Sequence, residues 1–241
     1  MAPLNYSDED PISLGVFNYH YHRDNSPILI HSEDFDPDEV LPSYFFRGFK
    51  QMPPLEQKAL QLANGRILDV GACSGSHALY LQDKGHEVTA LEQSALCCKV
   101  MNDRGIKNVI HQDFFQLPQQ QFDTILLLMN GTGIAGTLSR LDELFQKLAS
   151  LLHPQGQILI DSSDLIFLYT DEDGSALIDL AAEKYYGELT FQTEYKNQKG
   201  HKFPWLYVDP DLLKEKASQN NLRVKQIFKG DHFDYMAQIT F

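Results

Sequence analysis

The chain has 241 residues, of which 43% are hydrophobic and 22% are charged, and its formal net charge is −13. This composition is typical of a globular protein and predicts one core domain with an appended segment. The longest apolar runs are too short to span a bilayer and the N-terminus is acidic, so we expect a cytoplasmic protein with no membrane partner. Because the negative charge repels phosphate backbones, we expect no nucleic-acid partner. The three cysteines match neither a disulfide framework nor a metal-ligand pattern, so no metal site is predicted.

Residues 1–60 are rich in proline, acidic and aromatic residues. This N-terminal segment is too apolar for a disordered tail and too irregular to form a core of its own. We therefore expect it to cover another part of the protein, as a lid or cap on a domain formed by residues 61–241.

Strand and helix patterns alternate from residue 66 onwards. Strand patterns occupy residues 66–71, 87–93, 108–113, 122–129 and 157–163, and helical patterns occupy residues 74–85, 94–105 and 137–156. Ser94 is the predicted N-cap of the second helix, and Pro154-Gln155-Gly156 is expected to end the third. This alternation predicts a parallel sheet covered by helices on both faces, with ligands at the carboxyl ends of its strands.

The last part of the chain predicts antiparallel pairing. Residues 187–208 contain two extended segments around a turn at residues 197–200, which predicts an inserted β-hairpin. A helix capped by Asp209 follows, and residues 222–231 and 233–241 are two strands with a short connection. A short connection requires these two strands to pair antiparallel, so the sheet as a whole should be mixed.

The turn after the first strand has the shape of a nucleotide-binding turn but lacks the glycines of the dinucleotide fingerprint. Gly71 is present, whereas Cys73 and Ser76 stand where the second and third glycines are expected. Asp69 lies two residues before Gly71, where its carboxylate would repel a pyrophosphate and attract a cation. An alternative is that Asp69 only accepts loop amides and shapes the turn.

Acidic residues also follow the next two strands. Glu92 stands 21 residues after Gly71 and can accept hydrogen bonds from both hydroxyls of a ribose, as in several adenosine cofactors. Asp113 can accept a hydrogen bond from an adenine amino group while Phe114 lies against the ring. A solvated acid at a strand end remains the alternative for Glu92.

Together, the run ILDVGACSG at residues 67–75, Glu92, the pair Asp113-Phe114 and the closing antiparallel strands resemble class I S-adenosylmethionine-dependent methyltransferases. The likeness covers roughly residues 60–241. The family motif [Asp/Glu]-x-Gly-x-Gly-x-Gly corresponds here to Asp69, Gly71, Cys73 and Gly75, so Cys73 is a departure from the motif.

The resemblance implies a three-layer, Rossmann-like α/β fold with a seven-stranded mixed sheet. It also implies S-adenosylmethionine as cofactor and S-adenosylhomocysteine as product. The cofactor-binding residues that it implies are Asp69, Gly71, Ala72, Cys73, Gly75, His77, Glu92, Gln93, Asp113, Phe114, Met129 and Asn130. In that assignment Asp69 and Gly71 hold the methionine part, Glu92 holds the ribose, and Asp113 with Phe114 holds the adenine.

The reaction implied is an in-line transfer of a methyl group to an acceptor, for which we expect a small molecule. Such an enzyme mainly aligns the acceptor and excludes water, and it needs a base only if the acceptor must lose a proton. No catalytic residue is therefore identified, and Asn130, Tyr21 and His20 are the candidates. A non-catalytic module that binds an adenosine cofactor and an NAD-dependent oxidoreductase are the rival hypotheses. The oligomeric state is not predicted.

Overall fold

The computed structural model describes residues 10–33, 35–170 and 184–241. Residues 1–9 and 34 of the predicted lid lie outside the described residues. The α-helices in the described ranges are α1 (Pro11–His22), α2 (Pro54–Leu62), α3 (Ser76–Asp83), α4 (Ala95–Asp103), α5 (Leu141–Leu151) and α6 (Pro210–Gln219). The strands there are β1 (Ile28–Ser32), β2 (Asp38–Val40), β3 (Arg66–Val70), β4 (Glu87–Glu92), β5 (Val109–His111), β6 (Phe122–Leu127), β7 (Leu152–Ser163), β8 (Glu188–Tyr195), β9 (Gln198–Leu206), β10 (Arg223–Lys229) and β11 (Asp234–Thr240). None of the described helices has the length and apolar character needed to cross a membrane.

Seven strands form one sheet in the order β10-β11-β7-β6-β3-β4-β5, and four form a second sheet in the order β2-β1-β8-β9. Strands β3, β4 and β5 pair in parallel, as do β6 and β7. Strand β11 pairs antiparallel with both β7 and β10. The predicted α/β fold with a seven-stranded mixed sheet and a closing antiparallel pair is therefore confirmed.

The chain divides into two compact units. The first contains residues 1–53, 65–118 and 190–203, and the second contains residues 54–64, 119–189 and 204–241. The proposed boundary between a lid ending at residue 60 and a methyltransferase domain beginning at residue 61 stays a prediction.

In the first unit, the described part of the N-terminal segment folds into helix α1 and strands β1 and β2. Asp10 caps α1, accepting a hydrogen bond from the Ser13 amide at 3.1 Å. Leu14 and Val16 of α1 are buried in hydrophobic clusters that include residues of α4. The segment is thus more regular than its sequence indicated. Its buried residues 13–16 are consecutive, which obscures the helical period.

Strand β1 is the element that joins this segment to the hairpin. It pairs antiparallel with β2 on one side and with β8 on the other, in a register that places Ile28 opposite Tyr195. The hairpin β8–β9 was predicted, but its turn lies at Lys196 and Asn197 rather than at residues 197–200. Both turn residues have positive φ, 51° and 63°, which matches the right-handed twist of the flanking strands.

In the second unit, the helix predicted over residues 137–156 is shorter. Residues Leu138–Arg140 form a 3-10 turn, α5 ends at Leu151, and β7 begins at Leu152. The pairing with β6 shifts from Phe122 opposite Leu152 to Thr124 opposite Gln157, so residues 153–156 form a bulge within the strand. Pairing with β6 therefore determines the conformation here, and Pro154-Gln155-Gly156 does not act as a simple helix stop. The Asp209 cap of α6 is confirmed, with its carboxylate accepting from the amides of Asp211 and Leu212.

Candidate active site

The glycine-rich turn (residues 71–75) follows the buried strand β3. Gly71 is exposed and has a φ of 69°. A Cβ added at this position would meet no atom within 4 Å. The amides of Gly71 and Ala72 both donate to the Leu91 carbonyl of β4, at 2.9 and 3.1 Å. The backbone of the turn is thereby held in place while the space beside Gly71 stays open.

Gly75 ends the turn, and glycine is needed at this position for a different reason. Its φ is 79°, and a Cβ would lie 2.1 Å from Ile106 Cδ1 and 3.0 Å from Met101 Cγ. A side chain at this position would therefore clash with the core beneath α3. His77 follows in the first turn of α3, where it is half-buried.

Cys73 takes the place of the middle glycine of the motif in a left-handed conformation, with a φ of 52°. Its side chain packs against the buried cluster of Val16, Cys97 and Val100. The pKa of the Cys73 thiol is raised well above its usual value. The larger cause is a hydrogen bond with Cys97, and the smaller is burial. Because the thiolate is the nucleophilic form of cysteine, this thiol is not suited to nucleophilic catalysis.

Glu92 ends β4 and bridges the turn to the start of the next helix. Its Oε2 accepts from the Cys73 amide and its Oε1 from the Ser94 amide, both at 2.9 Å. Burial raises the pKa of the carboxyl. Two carboxylate oxygens provide about four acceptor positions, so each retains capacity for a further donor. The neighbouring Gln93 side chain is exposed.

Asp113 and Phe114 follow β5. Asp113 Oδ1 accepts from the Phe115 amide at 2.8 Å and so caps the 3-10 helix Phe114–Gln116. The Phe114 ring is buried, and it makes an edge-on contact with the half-buried Phe115 ring at 5.3 Å between centroids. Phe115 is thus a second aromatic residue at this strand end, where only Phe114 was predicted.

Two of the three catalytic candidates, His20 and Tyr21, are adjacent on α1. The Tyr21 hydroxyl donates to the Asp103 carboxylate, and burial together with this bond raises the pKa of Tyr21 to about 12. The His20 ring stacks on Phe46 with centroids 6.1 Å apart, and burial lowers the pKa of the imidazole. Near neutral pH, Tyr21 is therefore protonated and His20 is neutral.

Asn130, the third candidate, lies in the second unit beside Met129, and both residues have positive φ. Asp161 of β7 accepts from the amides of Asn130 and Gly131, both at 3.0 Å. The Asn130 side chain accepts from the Ser162 hydroxyl at 3.1 Å and donates to the Leu206 carbonyl at 3.4 Å. Its amide group is therefore already engaged within the unit, whereas the Met129 side chain is exposed.

Sequence reasoning missed a polar network at the glycine-rich turn. Ser74, Ser76 and Arg104 connect this turn to the Phe45 carbonyl of the N-terminal segment. Arg104 stands at the end of α4, where a basic residue is expected for the helix dipole alone, so the pattern contained no signal for the network.

A family model described as a methyltransferase domain matches residues 68–160. The crystal structure of an S-adenosylmethionine-dependent methyltransferase from Bacteroides fragilis, in complex with S-adenosylhomocysteine, is 42% identical, with a TM-score of 0.90 over 97% of this chain and 95% of that one. The chain belongs to the class I S-adenosylmethionine-dependent methyltransferases.

Two further proteins are similar to this chain. An uncharacterized methyltransferase from Staphylococcus carnosus is 27% identical over 165 residues, which cover 60% of this chain and 77% of that protein. The CcbJ methyltransferase from Streptomyces caelestis is 16% identical, with a TM-score of 0.61 over 80% of this chain and 98% of that one, and so shares the fold alone.

The first unit fits the cofactor of this methyltransferase family in two respects. A Cβ at Gly71 would point into open space, which a ligand can occupy next to the backbone. Glu92 is fixed by two backbone amides and retains acceptor capacity for hydroxyl groups.

Proposed function

We propose that the protein binds S-adenosylmethionine in its first unit and transfers the methyl group to a small molecule. The observation that carries the proposal is the glycine-rich turn, which is open beside Gly71 and lies next to the carboxylate of Glu92. An acidic setting suits a cationic sulfonium nucleoside and opposes the pyrophosphate of a dinucleotide.

Each part of the cofactor is assigned to a different strand end. Asp69 and Gly71 contact the methionine part, Glu92 accepts from the ribose hydroxyls, and Asp113 with Phe114 contacts the adenine. When bound, S-adenosylmethionine supplies a methyl group on a positively charged sulfur, which an aligned acceptor displaces in line.

A small acceptor is supported by the charge of the chain, because a net charge of −13 opposes the approach of nucleic acid. If the acceptor must lose a proton, His20 is the better of the two candidates on α1. Its imidazole is neutral near pH 7 and can accept a proton, whereas the Tyr21 hydroxyl is protonated and bonded to Asp103.

Calorimetric titration with S-adenosylmethionine, S-adenosylhomocysteine and NAD tests the cofactor. We expect both sulfur cofactors to bind and NAD not to bind. In Asp69→Asn, affinity for S-adenosylhomocysteine should fall about tenfold or more, because a charged acceptor is lost. Asp83→Asn, at the exposed end of α3, is the matched control and should bind as the wild type does. Tight binding of NAD without binding of either sulfur cofactor would contradict the proposal.

A second experiment tests the acceptor. Release of S-adenosylhomocysteine is measured with separate sets of small amines, phenols, carboxylic acids and thiols, with Asp69→Asn as the negative control. We expect turnover in at least one set. Turnover with RNA or protein, but with none of the four sets, would contradict the assignment of a small-molecule acceptor.

A further inference from the structure

One carbonyl oxygen of the N-terminal segment accepts hydrogen bonds from two hydroxyls at the glycine-rich turn. The Phe45 carbonyl accepts hydrogen bonds from the hydroxyls of Ser74 and Ser76, the latter at 2.6 Å. Ser74 belongs to the turn and Ser76 is the first residue of α3. Phe45 belongs to the 3-10 helix Pro42–Phe46.

Arg104 contacts the same two hydroxyls. Its Nη1 donates to the Ser74 carbonyl at 2.6 Å, to Ser74 Oγ at 2.8 Å and to Ser76 Oγ at 3.3 Å. The guanidinium also covers the Phe46 ring, 4.8 Å from its centroid. One side chain therefore contacts the turn, the start of α3 and the N-terminal segment.

The directions of these hydrogen bonds matter more than their number. A serine hydroxyl has one proton and rotates freely unless its partners define its orientation. Because Arg104 only donates, each hydroxyl accepts from the guanidinium and keeps its own proton to donate. For the Ser76 proton, the Phe45 carbonyl at 2.6 Å is a nearer acceptor than Ser74 Oγ at 3.3 Å. Arg104 thus orients both hydroxyl protons toward the same acceptor.

The recorded acceptors of this guanidinium are neutral oxygens, although the side chain is half-buried. Burial of a cation is costly, and it lowers the pKa of Arg104. A contact that only stabilised the fold could be made by an apolar side chain at lower cost. The arrangement instead uses two properties that arginine combines: Nη1 donates to the turn and to both hydroxyls, while the planar group covers the Phe46 ring.

We propose that Arg104 is a positioning residue that couples the glycine-rich turn to the N-terminal segment, so that cofactor binding at the turn orders residues 43–47. This inference rests on the proposed function, because it takes the turn to be the cofactor site. It assigns a role in cofactor binding to a residue outside the family motif.

Amide hydrogen exchange with and without saturating S-adenosylhomocysteine tests the coupling. In the wild type, the ligand should slow exchange both at residues 71–76 and at residues 43–47. In Arg104→Gln, the ligand should still protect residues 71–76 but no longer protect residues 43–47. Affinity for S-adenosylhomocysteine should fall roughly tenfold, because a charged donor to the turn is lost.

Lys99→Gln is the matched control. Lys99 lies on the same helix and its ammonium is 5.3 and 5.0 Å from the ring centroids of Phe17 and Tyr21, so it also contacts α1 through a cation–π interaction. This variant should show the wild-type protection at both sites. Arg104→Lys should recover part of the protection at residues 43–47, because lysine keeps the charge and some donors but not the planar group.

Three results would overturn the inference. The first is ligand protection of residues 43–47 in Arg104→Gln equal to that in the wild type. The second is wild-type protection confined to residues 71–76. The third is an Arg104→Lys variant that behaves as Arg104→Gln does, which would reduce Arg104 to a packing role. A wild type that does not bind S-adenosylhomocysteine would instead overturn the proposed function.

Ser76→Ala keeps the test decisive if Arg104→Gln does not fold. This variant removes one of the two hydroxyls bonded to Phe45 and leaves the guanidinium in place. Ligand protection at residues 43–47 should weaken relative to that at residues 71–76. Unchanged protection at both sites would contradict the proposed attachment.

Discussion

In both units a carboxylate at the end of a strand holds a neighbouring turn, but the space beside the two turns differs. In the first unit, Glu92 of β4 accepts a hydrogen bond from the amide of Cys73, a left-handed residue in the turn after β3. In the second unit, Asp161 of β7 accepts a hydrogen bond from the amide of Asn130, a left-handed residue in the turn after β6. In each case a carboxylate from the neighbouring strand holds a backbone conformation that non-glycine residues seldom adopt.

The glycines of the two turns, Gly71 and Gly131, differ in the space around them. A Cβ at Gly71 would meet nothing within 4 Å, whereas a Cβ at Gly131 would lie 2.4 Å from Leu127 Cβ. In the second unit the Asn130 side chain also bonds to Ser162 and Leu206. An acid at a strand end is therefore not sufficient evidence for a ligand site. The space next to the turn distinguishes a turn that can accept a ligand from one filled by the chain itself.

The largest effect is expected for Glu92→Gln. The glutamine amide group must direct its donors at the amide of Cys73 or Ser94, and the charged acceptor for the ribose is lost. We expect affinity for S-adenosylhomocysteine to fall by about 100-fold, or about 3 kcal/mol, by calorimetry. Glu87→Gln, at the exposed other end of β4, is the control and should change affinity less than about twofold. Equal affinity in the two variants would remove Glu92 from the site.

The corresponding change in the second unit should affect stability. Asp161→Ala leaves the amides of Asn130 and Gly131 without their carboxylate acceptor. The loss should be about 2 to 3 kcal/mol of unfolding free energy, partly offset by removing a buried charge. Urea denaturation measures it, with Asp123→Ala at the start of β6 expected to cost about 0.5 kcal/mol or less. Equal losses in both variants would show that Asp161 does not hold the Met129–Asn130 turn.

Asp161 should also make stability depend on pH. Burial raises the pKa of its carboxyl from 3.8 to about 6. Between these values the folded chain binds more protons than the unfolded chain, so the unfolding free energy falls as pH rises through this window. The contribution is at most about 3 kcal/mol. Denaturation at several pH values should give a flatter profile between pH 4 and 6 for Asp161→Asn, and an unchanged profile would contradict this.

The smallest effect is expected at Cys73, whose left-handed conformation costs about 1 to 2 kcal/mol for a non-glycine residue. Cys73→Gly relieves this strain but loses the packing of the side chain against Val16 and Val100, so stability should change by about 1 kcal/mol or less. Cys73→Ala loses the packing and keeps the strain, so it should be less stable than the glycine variant by thermal denaturation. If alanine is the more stable of the two, the backbone at Cys73 is not strained.

Local signals in the sequence were enough to place most elements. Ser94 and Asp209 were predicted as helix caps, and both accept the expected backbone amides. The short connection before β11 correctly predicted antiparallel pairing with β10. Predictions were wrong where pairing between distant residues competes with local preference. The helix expected to reach residue 156 ends at Leu151, because the chain pairs with β6 from Leu152 onward.

The sequence by itself determined the family, the mixed α/β sheet and the position of acids after successive strands, since these depend on residues close together in the chain. Which of the two turns held by an acid has open space beside its glycine was decided only by the tertiary structure. So was the network of Phe45, Ser74 and Arg104, whose members are 29 and 30 residues apart. Contacts over such separations follow from how helices and strands pack, and no local pattern encodes them.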